Sequence, residues 1–206
     1  MISTPKIKIC GITQLEPALF AQEYGAGAIG FVFYKKSKRY ISPVRAMEIC
    51  GKIKIKKVGV FVNETPDIIN EISYMLNLDF VQLHGDESFD MTKLLSKPII
   101  KRIDNFDDVK KYNNASYYLI DAKDKINWGG TGKLSDWNLA KQIKSNNKKI
   151  ILSGGLNSKN IISAIESVQP DWVDISSGIE DAPGIKNLKL MKQFFEKIQN
   201  MEKTNV

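Results

Sequence analysis

KIKICGITQLEPALFAQEYGAGAIGFVF, residues 6–33, contains one complete unit of the fold. Ile7 and Ile9 alternate with Lys8 and Cys10, the two-residue period of a strand over Lys6–Cys10. Gly11 follows, and Thr13 and Glu16 have the spacing of a capping box for a helix. Pro17 falls in the first turn of that helix or just beyond, where its missing N–H disturbs least. A second apolar run, Ala28–Phe33, is then a second strand. Strand, helix and strand in this order imply a parallel pair joined by a crossover.

The unit recurs. Apolar runs predict further strands near Lys57–Phe61, Phe80–Leu83, Ile99–Arg102, Tyr117–Asp121, Lys149–Ser153 and Trp172–Ile175, each followed by a helical stretch. Ser42-Pro43 places a cap residue before a proline at the first helical position. Ile161, Ile165 and Val168 mark one face of a helix after Ser158. Eight units without a break in composition favour a closed (β/α)8 TIM barrel over an open doubly wound sheet. The 206 residues suit one domain over 1–206, at the small end for this fold.

Composition narrows the function classes. A hydrophobic content of 43% and a charged content of 26% are those of a soluble globular chain. The net charge of +7 comes from scattered lysines. No basic stripe with stacking aromatics accompanies it, so nucleic acid is not the expected partner. Neither a signal-peptide core nor a bilayer-length apolar run occurs, so no membrane role is expected. Two cysteines, Cys10 and Cys50, do not make a disulfide framework, and a cytoplasmic location follows as an expectation. There is no zinc spacing, calcium loop or nucleotide glycine motif, so no cofactor is expected.

Strand parity places the chemistry. Helices cover the outside of a barrel, so the aliphatic sets Ile7/Ile9, Val81/Leu83 and Val173/Ile175 point outward. The alternate sets Lys8/Cys10, Gln82/His84 and Asp174/Ser176 then point inward near the C-terminal rim, where this fold carries its active sites. Cys10 is a general-base candidate as a thiolate, with Lys8 two residues deeper to favour the charged form. Asp121, at the end of Tyr117-Tyr118-Leu119-Ile120, is a general-acid candidate, a role that requires a raised pKa. Its strand opens the glycine loop Gly129-Gly130-Thr131-Gly132. Gly154-Gly155 and Ser176-Ser177-Gly178 follow the last two strands, where barrels often bind phosphate through backbone N–H groups. Arg39 could clamp a substrate carboxylate with its planar fork. His84, the single histidine, either positions substrate or supports a neighbour through a hydrogen bond. Cys50 reads as a small apolar residue on the second helix.

These segments in this order resemble the phosphoribosylanthranilate isomerase family: KICGIT from Lys8, GFVFYKKSKRYISP from Gly30, GVFVN from Gly59, QLHGDE from Gln82, LID from Leu119, GGTGK from Gly129, LSGGLN from Leu152, VDISSGIE from Val173 and PGIK from Pro183. The resemblance implies a cofactor-free Amadori rearrangement of N-(5-phosphoribosyl)anthranilate in tryptophan biosynthesis. It implies Cys10 as base, Asp121 as acid, Arg39 on the anthranilate carboxylate and the last two loops on the ribose phosphate. The partner is then a small phosphorylated substrate, and the chain a monomer or homodimer. One departure is Asn187, where Asp is expected after PGIK. Two rivals stand beside this reading. The related barrel isomerase of histidine biosynthesis should carry carboxylates at both catalytic strand ends and show two similar half-barrels. A non-catalytic phosphate-binding barrel should lack Cys10 or Asp121.

Overall fold

The computed structural model describes residues 4–122 and 134–204. Strands β1 (Lys6–Cys10), β2 (Ala28–Val32), β3 (Lys56–Phe61), β4 (Phe80–Leu83), β5 (Ile99–Arg102), β6 (Tyr117–Ile120), β7 (Ile150–Leu152) and β8 (Trp172–Ile175) pair in chain order. All eight pairs are parallel, and β8 returns to β1 with Lys8 opposite Asp174, which closes the barrel. The helices between them are α1 (Leu15–Glu23), α2 (Pro43–Cys50), α3 (Pro66–Met75), α4 (Phe89–Thr92), α5 (Asp107–Lys111), α6 (Trp137–Ser145) and α7 (Ile161–Val168), with α8 (Leu188–Thr204) last. After β4 and β5 the helical stretch shrinks to 4 and 5 residues.

Local signals account for most of the helix starts. The Ser42 side chain accepts from Arg45 N–H with Pro43 at the first turn, and Thr65-Pro66 repeats the device through Ile68 N–H. The capping box expected at Thr13 and Glu16 does not form. Gln14 is the cap residue and makes no side-chain cap bond. The Thr13 hydroxyl instead donates to the carbonyl of Gly184, in a hairpin that periodicity did not reveal. That hairpin joins β9 (Glu180–Ala182) to β10 (Ile185–Lys186), antiparallel, with Gly184 at φ +87° in the turn.

The barrel wall sorts side chains by parity. Ile7, Ile9, Val81, Leu83, Val173 and Ile175 all join the main apolar core beneath the helices, as does the Ile161, Ile165 and Val168 face of α7. Inside, Ala28, Val58, Ile100, Leu119, Ile151 and Trp172 form a separate apolar cluster at the N-terminal end. Phe80, Tyr117 and Trp172 meet edge to face there, with Tyr117 5.9 Å from Phe80 and 6.3 Å from Trp172 between ring centroids. This floor leaves the polar inward residues above it, at the opposite end.

Candidate active site

Cys10 and Lys8 share the inward face of β1, and neighbouring β2 makes room for them. A side chain on Gly30 would come within 2.9 Å of Cys10 Sγ and 3.2 Å of Lys8 Nζ. Lys8 Nζ lies 2.7 Å from Asp174 Oδ2, both side chains being buried. The lysine is thus paired with a carboxylate, and it still acts on the neighbouring thiol in the direction of a thiolate. Burial is the largest influence on the Cys10 thiol and pushes its pKa up; Asp174 pushes the same way, and Lys8 and Lys186 pull down without prevailing. In the free protein Cys10 is a thiol, not the thiolate expected of a ready base.

Asp121 closes the inward face of β6, across the mouth. Burial alone would raise its pKa. The His84 imidazole, the Ala122 N–H at 2.7 Å and the Arg102 charge together outweigh burial and hold it below its ordinary value. The expectation of a raised Asp121 is therefore reversed in the free protein. Gln82 Nε2 lies 3.0 Å from His84 Nδ1, so the amide donates and the imidazole proton sits on Nε2. That edge faces Asp121 Oδ2 at 3.4 Å. Three buried polar atoms have no hydrogen-bond partner among the described residues here: Gln82 Oε1, His84 Nε2 and Asp174 Oδ1. Each belongs to a side chain that parity directs inward, and a polar ligand would satisfy them.

Arg39 reaches the same rim over Gly11, whose φ is +73° and whose Cβ would come within 2.6 Å of Arg39 Cδ and 3.2 Å of Ser176 Oγ. Its guanidinium grips Glu180, with Nη2 2.7 Å from Oε2 and Nε 3.0 Å from Oε1. Glu180 also takes Lys186 Nζ at 2.7 Å, and these cations hold its carboxyl below the usual range against partial burial. Arg39, Lys186 and Glu180 leave one net positive charge beside Cys10. The two late loops touch backbone to backbone. A Cβ on Gly178 would lie 2.0 Å from the Leu156 carbonyl oxygen, and one on Gly154 3.0 Å from Asp121 Oδ1. Gly154 and Gly155 have φ of +84° and +62°. Their N–H groups, and those of Ser177 and Gly178, take no hydrogen-bond partner among the described residues.

Residues 7–197 match the family model described as N-(5'-phosphoribosyl)anthranilate (PRA) isomerase. The chain belongs to the phosphoribosylanthranilate isomerase family. It is 45% identical to the N-(5'-phosphoribosyl)anthranilate isomerase of Bacillus mycoides, over 96% of this chain and 100% of that one. The Thermotoga neapolitana isomerase is 42% identical, over 95% of this chain and 99% of its own. A solved phosphoribosylanthranilate isomerase in complex with reduced 1-(o-carboxyphenylamino)-1-deoxyribulose 5-phosphate superposes with a TM-score of 0.80 at 38% identity, covering 95% of this chain and 99% of that one.

The structure brings Cys10, Arg39, Gln82, His84, Asp121, Asp174 and the 154–155 and 176–178 loops to one rim, as sequence parity and loop order place them. The glycine loop at Gly129–Gly132 lies outside the described residues. Cys50 is half-buried on α2, its thiol pushed up to about 11 by burial, in keeping with a packing role. Asn187, the departure from the family pattern, accepts from Leu190 N–H at 2.9 Å and so caps α8, a task Asp performs equally well. Sequence reasoning missed Glu180 and Lys186, which enter through the β9–β10 hairpin, and Arg102, whose inward parity on β5 was the available signal.

Proposed function

We propose that this chain isomerises N-(5-phosphoribosyl)anthranilate to 1-(2-carboxyphenylamino)-1-deoxyribulose 5-phosphate, the Amadori step of tryptophan biosynthesis, without a cofactor. The observation that carries the reading is a thiol and a carboxylate at the inward C-terminal ends of β1 and β6. They stand on opposite sides of one barrel mouth in a chain of this family. Asp121 gives a proton to the furanose ring oxygen, and the ring opens to a protonated Schiff base. Cys10 takes the proton from the second ribose carbon, and the enolamine tautomerises to the ketose. The iminium supplies the electron sink.

The free protein carries the right number of protons in the opposite arrangement, a Cys10 thiol with an Asp121 carboxylate. Substrate supplies the correction. An anion seated on the N–H groups of Gly154 and Gly155 lies beside Asp121 and raises its proton affinity. The positive balance of Arg39, Lys186 and Glu180 favours the substrate carboxylate, and Lys8 and Lys186 pull Cys10 toward the thiolate. Gln82, His84 and Asp174 offer the polar atoms for the ribose between these ends. Every side chain named comes from one chain, so a monomer and a homodimer serve the reaction equally. A cytoplasmic setting suits the two free cysteines. No helix among the described residues is long and apolar enough to cross a membrane.

The test is direct. Purified protein mixed with fluorescent phosphoribosylanthranilate should extinguish its fluorescence at a rate proportional to protein concentration. A folded protein that leaves the fluorescence unchanged, or a Cys10→Ala variant as active as wild type, would overturn the proposal.

A further inference from the structure

Another buried ion pair lies outside the barrel wall. Glu87 and Lys101 are 5% and 2% exposed, and Lys101 Nζ stands 2.7 Å from Glu87 Oε2. Lys101 is on the outward side of β5: it pairs with Tyr118, a member of the outer core, whereas its neighbour Arg102 pairs with Leu119 of the inner cluster. The pair is thus separated from the substrate space by the sheet itself.

Its hydrogen bonds converge on the peptide groups that carry His84. The His84 N–H is held by the Phe61 carbonyl at 2.9 Å. The next N–H, that of Gly85, donates to Glu87 Oε1 at 3.0 Å, and the Gly85 carbonyl accepts from Lys101 Nζ at 2.6 Å. Glu87 Oε1 also accepts the Asn63 N–H at 3.0 Å, which ties the exit of β3 to the exit of β4. Tyr112 locks the back of this assembly: its hydroxyl donates to the Glu87 carbonyl at 2.7 Å, and its ring centroid lies 5.1 Å from Lys101 Nζ. A side chain at Gly85 would strike Asn63 Oδ1 at 2.4 Å, so the loop has no slack.

Two buried charges are a costly way to gain stability, since apolar residues of similar volume often do as well. They are an effective way to fix a peptide, because each charge fixes the direction of several bonds. We propose that Glu87 and Lys101 are positioning residues that set the His84 imidazole against Asp121 from behind the barrel wall. The consequence for catalysis rests on the reading of Asp121 as proton donor; the consequence for His84 does not.

His84 is the single histidine of the chain, so the imidazole nitrogen signals of 15N-labelled protein belong to it alone. Wild type should show the Nε2-protonated tautomer. Glu87→Gln and Lys101→Met should each shift those signals toward an average of both tautomers. The same variants should lower kcat about tenfold to a hundredfold, the scale of a misplacement near one ångström, with KM nearly unchanged. Lys101→Arg, which keeps the charge, should recover part of both effects. If a single variant does not fold, the double variant Glu87→Met/Lys101→Leu leaves no lone buried charge and is read instead. Folded variants with the wild-type His84 spectrum would overturn the proposal. A shifted spectrum with unchanged kcat would uphold the positioning of His84 and overturn its consequence for catalysis, since Asp121 would then work without a fixed imidazole beside it.

Discussion

The two ends of the barrel interior are built from opposite materials. At the N-terminal end six inward side chains are apolar and buried, and the rings of Phe80, Tyr117 and Trp172 interlock. Lys6, Lys56 and Lys149 cover those rings from outside, 5.3 to 5.9 Å from the centroids. At the C-terminal end the inward positions hold a thiol, carboxylates and cations, and three buried polar atoms lack a hydrogen-bond partner among the described residues. One end has its interactions complete within the chain. The other leaves them for a ligand to complete. The same strands reach both ends, so stability and chemistry are separated by about two residues along each strand.

The largest expected effect tests whether the mouth contributes chemistry alone. Asp121→Asn should lower turnover by about 10²–10⁴-fold, the usual contribution of a general acid or base. Its thermal midpoint should stay close to wild type, because the amide still accepts the Ala122 N–H. The pH profile sharpens the point. Asp121 is held below its ordinary pKa and Cys10 above its own. As pH falls, Asp121 gains a proton while Cys10 keeps its own, and activity drops on the acidic side through Asp121. As pH rises, Cys10 loses its proton while Asp121 is already ionised, and activity drops on the basic side through Cys10. Working protein between the limbs is the minor tautomer with the proton moved from thiol to carboxylate. Asp121→Asn should therefore leave a single limb in whatever turnover remains, rising with pH through the raised Cys10 pKa and not falling beyond it. A limb that stays at the position of the wild-type acidic one would show that the resting protonation order is the reverse of this one. Macroscopic values belong to the coupled pair.

The complementary cut is at the floor. Trp172 is 5% exposed, packs edge to face on Tyr117, and lies under Lys6. Trp172→Ala should cost about 3–5 kcal/mol of unfolding free energy, the range for deleting a buried aromatic. Turnover per folded molecule should hold near wild type, since Asp174 is the next inward residue and keeps its Lys8 partner. Denaturant titration and the fluorescence assay on the same sample check both halves. A loss of turnover matching the loss of stability would show that floor and mouth are one unit.

This division was largely legible in the sequence, because both ends follow from the same alternation. Lys8 and Cys10 against Ile7 and Ile9 told which residues face inward, and the strand ends told which lie at the mouth. The illegible part was electrostatic. Asp121 and Cys10 look like an acid and a base by type. Their resting states depend on His84, Asp174 and Lys186, which are brought near by β4, β8 and β10 and not by sequence distance. Glu87 was equally hidden: it stands in the QLHGDE segment as a loop carboxylate, and its burial depends on Lys101, 14 residues away. The Thr13 cap failed for the same reason, since Gly184 competes for its hydroxyl from the far end of the chain.

The smallest expected effect concerns a residue that belongs to the rim but not to the reacting atoms. Arg39 spends Nε and one side of Nη2 on Glu180, which leaves guanidinium donors for a substrate carboxylate. Arg39→Ala should weaken binding of product by about 1.5–3 kcal/mol, the value of a hydrogen bond to a charged group. That corresponds to about tenfold to a hundredfold in Kd. Glu180 would retain Lys186 Nζ at 2.7 Å and the Gly184 N–H at 3.2 Å, so the variant leaves no lone buried charge and the hairpin should stay in place. A product analogue without the carboxylate should bind wild type and variant alike if, as proposed, its phosphate end is held by the 154–155 and 176–178 loops. Arg39→Lys restores the charge without the fork and should recover only part of the loss. Calorimetric titration of both ligands against the three proteins separates the outcomes. Equal losses for the two ligands would mean that Arg39 supports the rim through Glu180 and does not read the substrate.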